Sequence, residues 1–153
     1  GRVEVVPPPG KDYTILIDYA HTPDSMVNVL QTVKEFAKGR TVAVFGCGGD
    51  RDKTKRPKMG AIAAKLSDYL IVTSDNPRTE DPLAIIRDIL PGLSGPHLVI
   101  PDRREAIFRA LDLARPGDTV ILCGKGHETT QETGGHRLPM DERQIIAEYI
   151  NGS

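Results

Sequence analysis

Neither sign of charge dominates this chain. Its 153 residues carry a formal net charge of −1, so no basic field draws in nucleic acid or an anionic membrane. No apolar run approaches the roughly 20 residues that span a bilayer, and no leader-peptide pattern appears. Cysteine is scarce. The only two, Cys47 and Cys123, make no disulfide framework, and neither stands in a C-x-x-C or Cys/His metal spacing. They read as small buried thiols of a cytosolic protein. His127 follows Cys123 closely, but nothing else supports a nucleophilic thiol. The phosphate-loop spacing G-x-x-x-x-G-K-[ST] is missing, and so is the dinucleotide fingerprint G-x-G-x-x-G. There is no repeat, low-complexity segment or internal linker. These absences lead to the expectation of one cytoplasmic domain without nucleic-acid or membrane partners. The chain opens at Gly1 rather than Met, which reads as a cut from a longer protein. The final Gly152-Ser153 is either a natural end or an engineered one.

What is present is a core and an alternation. Hydrophobic residues make up 39% of the chain, enough to fill one domain of ordinary size. Short apolar runs read as strands: Val3 to Val6, Thr14 to Asp18, Thr41 to Phe45, Tyr69 to Thr73, Leu98 to Ile100 and Thr119 to Leu122. Between them lie segments of helical period: Thr22 to Lys38, Pro57 to Leu66, Asp81 to Leu90, Arg103 to Ala114 and, last, Asp141 to Ile150. The first helix has its start and stop written in it, with Thr22 as N-cap, Pro23 at the first position and Gly39 as terminator. Continuous apolar strands divided by helices imply a Rossmann-like α/β fold, a mainly parallel sheet covered by helices on both faces. Right-handed crossovers then bring every strand-to-helix loop to one edge.

Four of those loops are rich in chemistry. Asp75-Asn76-Pro77-Arg78 places an acid, an amide and a guanidinium together after a buried strand, at the edge where open α/β sheets bind ligands. Arg grips a carboxylate with two parallel hydrogen bonds, while Asp and Asn accept from an ammonium, so the group suits a free amino acid. The alternative is an Asx-turn closed by Pro77 with Arg78 solvated. The loop from Asp18 to Asp24 contains His21, either a ligand contact or a cap. Gly46-Cys47-Gly48-Gly49-Asp50-Arg51-Asp52-Lys53 is either a ligand loop or a mixed-charge turn. Gly124-Lys125-Gly126-His127-Glu128 looks superficially like a phosphate loop, without the spacing.

Taken in order, Asp18-Tyr19-Ala20-His21-Thr22-Pro23-Asp24, Phe45 to Lys53, Lys55-Arg56-Pro57 with Met59-Gly60, Asp75 to Glu80 and Gly124 to Glu128 resemble the C-terminal domain of the Mur ligases. The match spans nearly the whole chain and is specific as a set, although D-x-A-H-x-P also occurs in folylpolyglutamate synthetases. The resemblance implies ATP-dependent amide ligation in peptidoglycan synthesis. A D-glutamyl carboxylate of a UDP-N-acetylmuramoyl dipeptide is activated as an acyl phosphate and attacked by the incoming amine. It implies that this domain binds the amino acid and closes over ATP held by a central domain. The Asp-Asn-Pro-Arg form resembles the branch that adds meso-diaminopimelate, whose second carboxylate needs a cation such as Arg78. By the resemblance, Arg51, Asp75, Asn76, Pro77, Arg78, Gly124 and Glu128 form the amino-acid site. Glu128 accepts from the distal ammonium, and Arg51 and Arg78 meet carboxylates. Asp18, His21 and Lys53 lie towards ATP. The family's P-loop, carbamylated lysine and Mg2+ ligands belong to the central domain, so this chain alone is expected to have no ligase activity. The competing readings are a folylpolyglutamate-type ligase, a non-catalytic amino-acid-binding module and an NAD-binding domain.

Overall fold

Successive residues of the inner strands point to opposite faces, and both faces are apolar. This is the pattern that forces a covering layer on each side. The computed structural model describes residues 3–152, and the reading of Gly1 and Ser153 as cut ends lies outside them. Six strands form the main sheet: β1 (Glu4–Val6), β2 (Thr14–Asp18), β3 (Thr41–Phe45), β4 (Tyr69–Val72), β5 (His97–Val99) and β6 (Thr119–Cys123), in the order β1-β2-β6-β3-β4-β5. All neighbours are parallel except β1 on β2. Leu16, Ala43, Phe45, Leu70, Val72 and Ile121 meet α1 (Pro23–Phe36), α2 (Lys55–Leu66) and α3 (Pro82–Ile89). Ile15, Ile17, Val42, Val44, Ile71, Val120 and Leu122 meet α4 (Arg103–Leu113) and α5 (Glu142–Asn151) on the opposite face. Among the described residues no helix is long and apolar enough to cross a membrane.

Local chemistry explains most boundaries. Thr22 Oγ1 accepts from Ser25 N–H and Ser25 Oγ accepts from Thr22 N–H, a reciprocal cap followed by Pro23. Asp81, Asp102 and Asp141 cap α3, α4 and α5 through their carboxylates. Three sequence expectations are corrected. Helix α1 stops at Phe36, with Ala37 already extended, so Gly39 is not its terminator. Gly39 instead lets the chain pass against the turn before β6, where an added Cβ would meet the Gly117 carbonyl at 2.8 Å. Helix α2 starts before Pro57, because a proline is tolerated in a first turn whose N–H groups have no helical partner. A hairpin, β7 (Thr130–Thr133) and β8 (His136–Pro139), was not anticipated at all. Its signal was Gly134-Gly135, whose φ values of 57° and 79° are those a tight two-residue turn demands.

The chain steps from β2 over to β3, runs outward to β5, and returns to lay β6 between β2 and β3. The continuation of β3 enters α2 on one face, while that of β6 ends in α5 on the other. The crevice at the carboxyl ends of β3 and β6 is therefore the switch point where such sheets bind ligands. One buried side chain braces it. Arg103, at the start of α4, donates from Nη1 to Ser74 O and from Nη2 to Cys123 O, both at 2.9 Å, just beyond β4 and at the end of β6. Its Nε donates to Glu142 Oε2 at 2.9 Å, with both side chains 0% exposed. Burial works against the guanidinium charge, the Glu142 and Asp75 carboxylates support it, and the net shift of its pKa is upward. In urea denaturation, Glu142→Ala is expected to cost about 3–5 kcal/mol, because it strands a buried charge. The apolar pair Arg103→Met with Glu142→Leu is expected to cost less than that single change. A Glu142→Ala loss below about 1 kcal/mol would show that the charge is not stranded.

Candidate functional site

The glycines after β3 exist for close approach between two loops. An added Cβ on Gly46 would meet Thr73 O at 2.3 Å, and one on Gly49 would meet Pro77 O at 1.8 Å. The loop after β3 thus presses directly on the loop after β4, and side chains fasten the contact. Gly49 N–H donates to Asn76 O at 2.7 Å, and Arg78 Nη1 donates to Gly49 O at 3.0 Å. Asp50 Oδ1 accepts from Thr79 Oγ1 at 2.6 Å, and Glu80 accepts from Asp50 N–H. Buried Arg56 donates to Glu80, Asp88 and Gly48 O. Asp50 and Arg78 adopt positive φ values of 56° and 54°, a conformation that needs such restraint in residues with side chains.

The hairpin splints the same loop from the other side. Gln131 Nε2 donates to Asp75 O at 2.7 Å, Glu132 N–H to Asn76 Oδ1 at 3.0 Å, Arg78 N–H to Glu132 O at 2.8 Å and Gly134 N–H to Arg78 O at 2.8 Å. The Arg78 guanidinium lies 3.7 Å from the Glu132 carboxylate. Arg78 is therefore half-buried and fixed, which removes the reading of a solvated arginine beyond an Asx-turn.

These loops enclose a cleft of about 440 Å³ whose lining includes His21, Arg51, Asp75, Asn76, Arg78, Gly124 and Glu128. Seven of the ten residues singled out from the sequence are thus gathered in one place. Pro77 is buried behind the cleft, with its carbonyl against Gly49. Asp18 faces a neighbouring hollow of about 380 Å³, shared with His21, and its Oδ2 accepts from Ala20 N–H at 2.7 Å. Lys53 is exposed and lines neither. His21 Nδ1 is 2.9 Å from Tyr19 O, a contact in which this nitrogen donates.

One sequence expectation reverses. Asn76 Oδ1 receives both Lys125 Nζ at 2.8 Å and Glu132 N–H at 3.0 Å, and two donors on one atom identify it as the oxygen. Asn76 therefore has no acceptor left for an ammonium, and its amide N–H groups are what it can offer. Asp75 keeps the acceptor role. Its residue is 8% exposed, and Oδ1 lies 3.4 Å from Lys125 Nζ but out of line for a hydrogen bond, which leaves it unpartnered. Gly124, with φ 114°, brings bare backbone alongside this carboxylate, where a Cβ would meet Asp75 Oδ2 at 3.1 Å. Arg51 rests exposed on the rim, and Glu128 is half-buried. Cys47 also lines the cleft, but burial pushes its thiol up to about 12, and that of Cys123 likewise. Among the described residues no group of three or more His, Cys, Asp or Glu could hold a metal. The residues that sequence reasoning missed are Lys125, Gln131 and Glu132. The first was masked by its likeness to a phosphate-loop lysine, and the others lie in the unanticipated hairpin.

An open α/β sheet with a cation- and carboxylate-lined cleft at its switch point is the arrangement in which such sheets hold ligands. Residues 1–126 match the Mur ligase, glutamate ligase domain family, and the chain belongs to that family. It is 53% identical over 147 residues to a UDP-N-acetylmuramoyl-L-alanyl-D-glutamate–2,6-diaminopimelate ligase of Syntrophomonas wolfei, covering 94% of this chain and 30% of the relative. It is 50% identical over 154 residues to a ligase of the same name from Aquifex aeolicus, covering 99% and 32%. A solved structure of a ligase so named superposes with a TM-score of 0.93 at 42% identity, covering 99% of this chain and 31% of that one. FolC of E. coli in complex with ADP shares the fold at 21% identity, with a TM-score of 0.58 over 77% of this chain and 27% of that chain. The chain spans about a third of the length of the curated relatives it matches.

The network between the loops has a pH signature. Hydrogen bonds from Arg56, then from Asp50 N–H, bring the Glu80 carboxyl from its usual 4.5 down to about 2. A depressed carboxylate pKa stabilises the fold in full above the unfolded value and ceases to do so as pH falls through the folded one. Between pH 4.5 and about 2, Glu80→Gln is expected to flatten the acid-side loss of stability measured by thermal unfolding. An unchanged slope would assign that loss to other carboxylates.

Proposed function

We propose that this chain is the amino-acid-binding domain of an ATP-dependent ligase that adds meso-2,6-diaminopimelate to UDP-N-acetylmuramoyl-L-alanyl-D-glutamate in peptidoglycan synthesis. The observation that carries the reading is the gathering of donors and carboxylates in one cleft. Arg51, Arg78 and the Asn76 amide offer donors, and Asp75 and Glu128 offer carboxylates. Diaminopimelate presents two carboxylates and two amino groups, so every charged group of the ligand has a counterpart. Arg78 is held with Nη1 on Gly49 O, which orients its fork before the ligand arrives and reduces the ordering cost of binding. The similarity to ligases bearing 2,6-diaminopimelate in their names supports the same substrate.

In the whole enzyme ATP supplies the phosphoryl group that activates the D-glutamyl carboxylate. The contribution of this domain is to hold the nucleophilic amino group and to exclude competing amino acids. Asp18 and His21 share the hollow beside the cleft, and with Lys53 they are the groups this domain offers to the nucleotide. Among the described residues no group of three or more His, Cys, Asp or Glu could hold a metal, and we assign the Mg2+ ligands mainly to the remainder of the ligase, together with the site for the muramoyl dipeptide. We assign the enzyme to the cytoplasm, where ATP and UDP-linked substrates are available.

The test is the steady-state rate of the full-length ligase with meso-diaminopimelate and with L-lysine. Diaminopimelate is expected to be strongly preferred. Arg78→Ala is expected to lower kcat/KM for diaminopimelate by about 2–4 kcal/mol, as for loss of one partner of a desolvated charge pair. The low rate with lysine, which lacks the second carboxylate, is expected to change little. Equal use of the two amino acids by the unaltered enzyme would overturn the assignment, and an equal loss for both in the variant would point to damaged folding.

A further inference from the structure

Lys125 is a lysine with 0% side-chain exposure, and nothing in the proposed mechanism uses it. Its ammonium reaches three side chains, and all three belong to the amino-acid site. Nζ is 2.8 Å from Asn76 Oδ1, 3.4 Å from Glu128 Oε1 and 3.4 Å from Asp75 Oδ1. Burying an ammonium is costly unless it is paired and hydrogen-bonded, so a lysine in this place implies that its partners need it. The flanking backbone is built around it. Gly124 and Gly126 have φ values of 114° and 54°, and an added Cβ on Gly126 would meet Tyr19 Cβ at 2.9 Å. A side chain at position 126 would press on Tyr19, and one at position 124 on Asp75.

We propose that Lys125 is the positioning residue of the amino-acid site, fixing the Asn76 amide with its N–H groups towards the cleft so that position 76 donates to a ligand carboxylate. The inference rests on the reading of the cleft as an amino-acid site. An amide that is free to rotate offers oxygen or nitrogen about equally. One whose oxygen is taken by an ammonium and by Glu132 N–H offers nitrogen only. The same ammonium lies between the Asp75 and Glu128 carboxylates and offsets part of their repulsion. Their remaining negative charge faces a ligand ammonium. Lys125 thus assigns donor character to position 76 and leaves acceptor character at positions 75 and 128 without touching the ligand.

The test uses the full-length ligase, with diaminopimelate, ATP and the muramoyl dipeptide varied in turn. Lys125→Met is expected to raise KM for diaminopimelate at least tenfold and to leave KM for ATP within twofold. In an Asn76→Ala background, the same change is expected to raise KM for diaminopimelate no more than threefold, because the amide that Lys125 orients is gone and only its offset of the Asp75 and Glu128 repulsion remains. A full tenfold effect in that background would overturn the proposal, and so would unchanged KM in Lys125→Met. Should Lys125→Met not fold, Asn76→Asp decides. Its carboxylate accepts from Lys125 and Glu132 as the amide oxygen does, but it cannot donate. A tenfold or larger rise in KM for diaminopimelate supports the proposal, and no rise refutes it. If the unaltered enzyme does not use diaminopimelate, the assigned function fails and this inference with it. If the enzyme uses it and the variants behave as the parent, only the inference fails.

Discussion

The buried guanidinium of Arg103 is the constraint on which the cleft depends. Strand β3 lies between β4 and β6, and the loops that face each other across the cleft continue from those two neighbours. Arg103 holds a carbonyl at each, Ser74 O and Cys123 O, from a single planar group. A guanidinium sets its donors in a fixed fork, so the separation of the two carbonyls is set by covalent geometry rather than by packing alone. Glu142 holds the third edge and ties the fork to the start of α5. Burial of the pair is not simply stabilising, since Glu142 Oε1 has no partner of its own and desolvation opposes both charges. What it provides is a specified distance at the place where Asp75 and Gly124 must face each other.

Above that brace, the loops restrain one another instead of relying on regular structure. The loop after β3 and the loop after β4 share the Gly49 contact and the Asp50, Thr79, Glu80 and Arg56 network. The hairpin closes the far side with four hydrogen bonds. The positive φ of Arg78 follows from this arrangement. The residue is held by its N–H and its carbonyl to the hairpin, and by its guanidinium to Gly49. The backbone then has little freedom to relax. On the proposed reading Arg78 meets a distal carboxylate and has to be still before the ligand arrives, and three separate attachments keep it so.

Much of this was legible from the residues. Apolar runs broken by helical period led to a parallel sheet with two covered faces, and alternate residues of β2, β3, β4 and β6 do divide between the two cores. The loops that looked chemical converge, because parallel topology leaves them no other edge. What was not legible has identifiable causes. The hairpin is short, half-exposed and polar, so it lacks the apolar alternation by which strands are recognised. Gly39 looked like a helix terminator, and only the three-dimensional approach of the Gly117 turn shows otherwise. The hydrogen-bonding sense of Asn76 depends on Lys125, distant in sequence, and on a backbone N–H of the hairpin. No local pattern encodes an amide orientation.

Counting basic residues around the cleft would suggest a site for phosphate, and the pairing of charges argues against one. Arg56 lines the cleft but is saturated by Glu80 and Asp88. Lys125, in the loop that most resembles a phosphate binder, is turned inward onto Asn76, Asp75 and Glu128. Among the other lining residues, Arg51, Lys55 and Arg78 stand against Asp52, Asp75 and Glu128, three cations and three carboxylates. A polyphosphate placed here would meet Asp75 and Glu128, whose two charges the single Lys125 ammonium offsets only in part. A molecule carrying both signs meets groups of both signs. The balance also favours specificity over strength, because a ligand lacking one charge leaves a desolvated partner unmatched. The near-neutral composition of the whole chain is thus repeated in its cleft, and on the proposed reading that balance favours a zwitterion over an anion of similar size.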